Sequence, residues 1–153
     1  AEPPLLTRQL AAQATALDRV QVLTLMPMGD APYASEAATA HLDVATFLPG
    51  RCLRAAMGEG RARALRYPLS RIPGLFERRE LKADVVLLQV SPPDADGQVS
   101  LGISVDYMRA VLAQSLAASR ILVVAAPGPN VADPGLLPFR KLRPGMRTRP
   151  RAD

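Results

Sequence analysis

The sequence from Ala83 to Asp106, ADVVLLQVSPPDADGQVSLGISVD, indicates the fold that we expect for this chain. Val85–Val90 is an apolar run broken only by Gln89, which is typical of a strand covered on both faces of a parallel sheet. The strand is expected to stop at Ser91, because two consecutive prolines follow it and proline has no amide hydrogen to donate to a central ladder.

The residues after this strand predict a loop and then a helix. Asp94 favours a turn by accepting from nearby amides, and Gly97 gives the backbone the freedom to reverse. Ser104 is expected to cap a helix that begins at Val105, with Asp106 in its first turn. In open α/β sheets, ligands bind beyond the carboxyl ends of the strands, and a helix N-terminus there favours an anion. Candidate ligand contacts in this segment are Ser91, Pro92, Asp94, Gly97, Ser100, Gly102, Ser104 and Asp106.

Each of these residues also has a purely geometric interpretation. Serine, proline and aspartate are what a tight turn requires, the glycines permit close backbone approach, and Ser104 with Asp106 suffices as a helix cap. Both interpretations stay open at the level of sequence.

Helices and strands are predicted to alternate along the whole chain. We expect helices at 5–17, 51–57, 70–79 and 105–118, and a further short helix that Ser35 caps and Glu36 begins. Strands are expected at 20–26, 44–48, 63–67, 85–90 and 121–125. This order predicts an α/β fold with an open, mainly parallel sheet and helices on both faces.

Composition narrows the class of protein. The 153 residues include three Phe, three Tyr and no Trp, so the core is expected to consist mainly of Val, Leu, Ile and Ala. The single cysteine, Cys52, is consistent with a reducing compartment, and no apolar window of about 18 to 20 residues predicts a membrane span. We therefore expect a cytoplasmic protein with no metal site and no association with membranes.

The excess positive charge lies at the end of the chain. Residues 1–138 contain 13 basic and 13 acidic side chains, whereas residues 139–153 contain six basic side chains against Asp153 alone. A basic tail of this kind could bind a polyanion, but it has one aromatic residue and no groove-reading motif. We interpret it as a solvated tail and do not expect nucleic acid as a partner.

Several motifs together resemble one known family, the acetyl-CoA hydrolase and CoA-transferase family, which includes 4-hydroxybutyrate CoA-transferase. The spaced pattern S-P-P-D, G and S-x-G-x-S-x-D resembles the amino-terminal domain of that family at residues 91–106. The segments LMPMGDAPY at 25–33, GEGRA at 58–62 and PLSRIPGLF at 68–76 also look similar. The first of them makes Tyr33 a further candidate for substrate contact, although we favour a structural interpretation, in which the tyrosine is half-buried and its hydroxyl is satisfied.

The resemblance implies a two-domain enzyme that uses a coenzyme A thioester as substrate and binds no permanent cofactor. Members are similar in having a catalytic glutamate in the second domain, where its carboxylate attacks the acyl-CoA carbonyl and then becomes a glutamyl-CoA thioester. None of the five glutamates here matches that motif, so we assign no catalytic residue and expect the chain alone to be inactive. The implied partners are an acyl-CoA, a small carboxylate, and a carboxyl-terminal domain or a second copy of the chain.

The resemblance covers residues 1–126 and departs from the family pattern at both ends. An opening strand and turn before Ala1-Glu2-Pro3 are expected to be missing, and the Pro- and Arg-rich residues 127–153 resemble no part of the enzyme. Our hypothesis is a truncated or frameshifted product: a CoA-transferase-like domain at 1–126 with a disordered or out-of-frame tail at 127–153.

Two alternatives to a transferase half remain open. An acetyl-CoA hydrolase has the same amino-terminal domain, because the choice between water and a carboxylate as acceptor would be made around the missing glutamate. A non-catalytic remnant or binding module would instead show weak, salt-sensitive polyanion binding through its tail.

Overall fold

The computed structural model describes residues 2–92, 106–118 and 122–127, and these form two compact units. The first unit comprises Glu2–Leu69, and the second contains the described residues from Ser70 onward. Each unit has its own parallel sheet, one of three strands and one of two.

The first unit is a parallel sheet in the order β1-β2-β3 with short helices in the connections. Its elements are α1 (Pro4–Ala12), β1 (Val20–Thr24), α2 (Glu36–Thr39), β2 (Leu42–Thr46), α3 (Arg54–Gly58) and β3 (Ala62–Ala64). Single 3₁₀ turns occupy Ala14–Ala16, Pro32–Ala34 and Arg51–Leu53. The register aligns Val22 with Val44 and Val44 with Ala62, so that β2 is the central strand.

Small side chains fill the core of this unit. Seven of the ten buried members of its main cluster are alanine or valine, and the larger members are Tyr33, Leu42 and Leu53. With so little side-chain volume, the helices approach the sheet closely, which agrees with the core predicted from composition.

Ser35 begins α2 as the sequence predicts. Its hydroxyl accepts from the backbone amide of Ala38 at 3.3 Å, and Glu36 occupies the first turn, where a negative charge is favourable. The chain from β1 to β2 therefore turns at a capped helix that is only four residues long.

The second unit pairs β4 (Val85–Val90) in parallel with β5 (Leu122–Pro127). It also contains a 3₁₀ turn at Leu69–Arg71, which begins in the first unit, and the helices α4 (Ile72–Glu77) and α5 (Met108–Ala118). The Phe76 and Tyr107 rings stack with centroids 5.2 Å apart, and Gln114 Nε2 donates to the carbonyls of Phe76 and Leu81 at 2.8 and 3.1 Å. These contacts satisfy backbone acceptors at the end of α4.

The α/β class and the open parallel sheet are confirmed, and β4 has the predicted bounds. The expectation that β4 is covered on both faces is wrong. Val86, Leu88 and Val90 are buried, Leu87 and Gln89 are half-buried, and Val85 is 53% exposed. Alternate residues of β4 are therefore buried on one face, whereas the residues of the other face are half-buried or exposed.

The start of α5 also differs from the prediction. The helix begins at Met108 rather than Val105, and Asp106 lies in the preceding turn with a φ of 41°. A left-handed backbone at Asp106 is incompatible with a place in the first helical turn, although aspartate tolerates this conformation better than most residues.

A row of polar side chains crosses the exposed face of the three-stranded sheet. Gln21 Nε2 donates to Asp43 Oδ2 at 3.2 Å, and Arg63 Nη2 donates to the same oxygen at 3.0 Å. The hydrogen bond and charge of Arg63 lower the pKa of the Asp43 carboxyl below its usual range. One carboxylate thus links all three strands.

We predict that Asp43→Asn lowers the free energy of unfolding at neutral pH by about 0.5 kcal/mol, since the pair is half-exposed and screened by solvent. The pKa of Asp43 is lower in the folded state than in the unfolded state. The contribution of its carboxylate to stability is therefore complete above the unfolded-state pKa of about 3.9. It is lost as the pH falls through the folded pKa. Urea unfolding midpoints of the unchanged protein and of Asp43→Asn, at neutral and at acidic pH, measure this loss of stability. The control is Asp18→Asn, which changes an exposed aspartate. An effect of equal size at both pH values would contradict the assignment.

Candidate functional site

The carboxyl edge of the three-stranded sheet brings three connections together. Since β1, β2 and β3 are parallel, the chain leaves each of them at the same edge. Backbone pairing continues past the strand ends, with Phe47 N to Thr24 O at 3.1 Å, Leu48 N to Leu25 O at 2.7 Å and Leu65 N to Thr46 O at 2.7 Å. The first residues of the three loops are therefore fixed against one another at the edge where α/β sheets bind ligands.

The Thr46 side chain joins the loop after β1 to the loop after β2. Its side chain is fully buried, and its hydroxyl lies 3.1 Å from the Leu25 carbonyl oxygen and 2.9 Å from the Leu48 carbonyl oxygen. A buried hydroxyl shared between two carbonyls fixes the exit of β2 relative to the exit of β1.

Gly50 permits a close approach of the same two loops. A Cβ atom at this position would overlap the Pro27 carbonyl oxygen, and Cys52 Sγ donates to that oxygen at 3.3 Å. The backbone at Gly50 has an ordinary φ of −72°, so space rather than torsion requires the glycine. We did not predict a role for Thr46 or Gly50, because Pro49-Gly50 signals only the end of a strand.

The loop after β1 contains Gly29, Asp30, Ala31 and Tyr33. Gly29 and Asp30 are exposed, and Asp30 Oδ2 lies 3.8 Å from Arg8 Nη2. Ala31 is buried with φ 45° and ψ 57°, a left-handed conformation that is sparsely populated for alanine and costs about 1 kcal/mol or more. Strain of this kind is concentrated at functional loops, and the loop lies on the edge where ligands are expected.

Tyr33 lies beneath this loop. Its side chain is 1% exposed, so the tyrosine is buried, and the half-buried position that we expected for it is wrong. Burial, followed by the interaction with the Glu2 carboxylate, raises the pKa of the Tyr33 hydroxyl far above its usual range, so the group stays protonated.

Cys52 is not an activated nucleophile. Burial raises the pKa of its thiol, although Arg51 and Arg54 flank it in sequence. The thiol is therefore mainly protonated near neutral pH, and we interpret Cys52 as an inert cysteine.

In the second unit, β4 ends at Val90 and the candidate loop begins as predicted. Ser91 is half-buried, its hydroxyl donates to the Pro92 carbonyl oxygen at 3.1 Å, and the Pro92 side chain is exposed. The next described residue in the sequence is Asp106, which lies in a turn. Five other candidates fall outside the described residues: Asp94, Gly97, Ser100, Gly102 and Ser104.

The described ranges offer neither a metal-binding cluster nor a helix suited to a membrane. No group of three or more His, Cys, Asp or Glu residues there is arranged to hold a metal ion. None of the helices described is long and apolar enough to span a bilayer.

Comparison with known proteins assigns the family. The family model of the acetyl-CoA hydrolase/transferase N-terminal domain matches residues 1–140. The chain belongs to this family. The loops at the carboxyl edges of both sheets therefore belong to the amino-terminal domain of an acetyl-CoA hydrolase/transferase.

Two curated CoA-transferases are similar in sequence. The 4-hydroxybutyrate coenzyme A transferase of Clostridium kluyveri is 33% identical over 90 residues, which are 59% of this chain and 21% of that protein. The succinyl-CoA:acetate/propanoyl-CoA:succinate CoA transferase of Fasciola hepatica is 34% identical over 112 residues, 73% of this chain and 23% of that protein. The chain thus spans less than a quarter of the length of these two relatives.

Two solved structures have the same fold. RipA from Yersinia pestis matches with a TM-score of 0.64 and 21% identity, covering 82% of this chain and 31% of that one. The 4-hydroxybutyrate CoA-transferase from Porphyromonas gingivalis matches with a TM-score of 0.55 and 25% identity, covering 82% and 26%. Both comparisons confirm the fold of this family domain.

We predict that Gly50→Ala lowers the free energy of unfolding by about 1–3 kcal/mol, because the added methyl group pushes the β1 and β2 loops apart. Gly58→Ala is the matched control. That glycine ends α3, and a Cβ atom added there would have no other atom within 4 Å, so alanine should be neutral or stabilising by up to about 1 kcal/mol. Equal urea midpoints for the two variants would show that the loops are not in close contact.

Proposed function

We propose that this chain is the amino-terminal domain of a CoA-transferase that moves CoA between an acyl-CoA and a small carboxylate of the acetate or 4-hydroxybutyrate type. The single observation behind the proposal is the family match over residues 1–140. The names of the two curated relatives support transfer rather than hydrolysis, since both are CoA-transferases.

The positions of the glutamates support a catalytic carboxylate outside these residues. Glu59 and Glu80 form ion pairs with Arg61 and Arg78, both with N–O distances of 2.5 Å. Glu36 lies in the first turn of α2, where its charge is favourable to the helix. A glutamate that attacks a thioester must be accessible and free to react, and an arginine partner weakens its nucleophilicity.

The remaining two glutamates, like the other three, do not match the family's catalytic motif. Glu77 ends the short helix α4 on an exposed surface, and the Oε2 atom of Glu2 is buried. We therefore assign nucleophilic attack, the acyl anhydride and the glutamyl-CoA thioester to a carboxyl-terminal domain that this chain would require as its partner.

The carboxyl edge of the first unit exposes apolar side chains, which suits contact with a carboxyl-terminal domain. Met26 and Met28, which follow β1, are 45% and 80% exposed, and Tyr67 and Leu69, which follow β3, are about half exposed. Exposed apolar side chains on two neighbouring loops favour contact with another surface or with an acyl group. In the second unit, we propose that the segment from Ser91 to Gly102 contacts the acyl or carboxylate end of the substrate.

We predict no CoA transfer by the 153-residue chain alone when it is given acetyl-CoA and 4-hydroxybutyrate. Intact mass after incubation with acetyl-CoA should show no CoA adduct on any glutamate. Joining this domain to a carboxyl-terminal domain of the family should give CoA transfer, with that carboxyl-terminal domain alone as control.

Different results would separate the alternatives. Release of free CoA without transfer by the joined protein would indicate a hydrolase. Transfer by the isolated chain would contradict the proposal of a transferase domain that depends on a second one.

We predict that Ser91→Ala in the joined protein lowers kcat/KM by about tenfold. The Ser91 hydroxyl donates to the Pro92 carbonyl, and this bond fixes the start of the segment that we propose contacts the substrate. The matched control is Ser70→Ala, an exposed serine in a 3₁₀ turn. An equal loss of kcat/KM in both variants, or no loss in Ser91→Ala, would contradict a role of the Ser91 hydroxyl in positioning this segment.

A further inference from the structure

The motif GEGRA at 58–62 ends α3 with a tight turn. Gly60 has a φ of 74°, and its amide donates to the Met57 carbonyl at 3.1 Å. The Arg61 amide donates to the Ala56 carbonyl at 2.7 Å. These two hydrogen bonds around a left-handed glycine form a Schellman motif, in which a residue with a Cβ atom would be strained at the glycine position. The turn therefore fixes the backbone of Arg61 immediately before β3.

The Arg61 guanidinium has partners on two sides. Its Nε and Nη2 lie 2.7 and 2.5 Å from Glu59 Oε2, and its Nη1 donates to the backbone carbonyl of Ala34. The Arg61 side chain is 23% exposed, whereas the arginines of the other ion pairs in the described part of the chain are at least 51% exposed. Water competes less at Arg61, so its charged hydrogen bonds are stronger than those of an exposed pair.

Ala34 connects this guanidinium to the strained backbone of the loop after β1. Ala34 is buried at the end of the 3₁₀ turn Pro32–Ala34, and its amide donates to the Ala31 carbonyl at 2.9 Å. The left-handed conformation of Ala31 persists only where surrounding contacts hold it. The Arg61 guanidinium thus binds the residue that closes the strained turn.

We propose that Arg61 is a positioning residue for the transferase reaction, which holds the loop after β1 in its working shape by binding Ala34. Glu59 orients the guanidinium by occupying Nε and Nη2, which leaves Nη1 for the Ala34 carbonyl. Arg61 precedes β3 and so lies at the amino end of that strand, away from the edge where the substrate is expected. This role rests on the proposed function, whereas the contact between Arg61 and the loop does not.

Hydrogen exchange in the 153-residue chain tests the contact with the loop. In Arg61→Gln, amide exchange at Ala34 and Ser35 should be about tenfold faster, because the Ala34 carbonyl loses its charged donor, while the amides of β2 stay protected. Arg78→Gln is the matched control, since Arg78 also pairs with a glutamate two residues away, and it should leave this exchange unchanged. Unchanged protection in Arg61→Gln would overturn the proposal.

Arg61→Lys is a second variant, which keeps the positive charge. A lysine ammonium can pair with Glu59, but it lacks the planar fork that also reaches the Ala34 carbonyl. We therefore expect the same local loss of protection at Ala34 and Ser35 in this variant, even if Arg61→Gln does not fold. Full protection in Arg61→Lys would overturn the proposal, because the charge alone would then suffice.

Steady-state kinetics of the joined protein test the effect on the reaction. Each Arg61 variant should lower kcat for transfer from acetyl-CoA to 4-hydroxybutyrate by about tenfold, with KM for acetyl-CoA within about twofold, because a displaced loop misaligns the bound substrate. Arg78→Gln should leave both constants unchanged.

Two kinetic results would count against this role in different ways. A role in stability alone would lower Tm but leave kcat unchanged well below Tm, and that result would overturn the positioning role. Absence of transfer by the joined protein without substitutions would overturn the proposed function, and the positioning role with it. The hydrogen-exchange result would still decide whether Arg61 holds the loop.

Discussion

The parallel pairing of β2 with strands on both sides is the interaction on which the first unit depends. Hydrogen bonds to β1 and β3 satisfy its backbone, and four of its five side chains are buried. The pairing runs past the strand ends through Phe47, Leu48 and Leu65, so the loops begin in fixed relative positions. The candidate site at the carboxyl edge is a consequence of this ladder.

Small side chains make the close packing of the unit possible. Ala34, Ala38 and Ala56 in the connections pack in the same core cluster as Val44 and Ala62 on the strands, which leaves little space for large groups. The tyrosine of the β1 loop is the exception, because it places a large ring with a polar end into this core. The close contact of the Pro49-Gly50 turn with the β1 loop reflects the same shortage of space. A core of this kind has little tolerance for an added methyl group.

Several chemically reactive side chains of this domain are protonated or ion-paired. In the described residues, the cysteine is half-buried with a raised thiol pKa, the tyrosine of the β1 loop is buried, and two glutamates are paired with arginines. The carboxyl edge exposes several apolar side chains, among them Met26, Met28 and Tyr67. This distribution agrees with the proposed function, in which the nucleophile belongs to a second domain.

The sequence determined the class of fold, the bounds of β4, the cap at Ser35 and the family. These features depend on local patterns: hydrophobic runs, a serine before a helix, and motif residues at fixed spacing. The start of α5 was placed three residues too early, because the left-handed turn at Asp106 has no distinct local signal. Tertiary structure alone decided that β2 is the central strand, that only alternate residues of β4 are buried, and that the Tyr33 side chain is buried. Burial depends on what the rest of the chain places against a residue, and the pattern of a single segment does not contain that information.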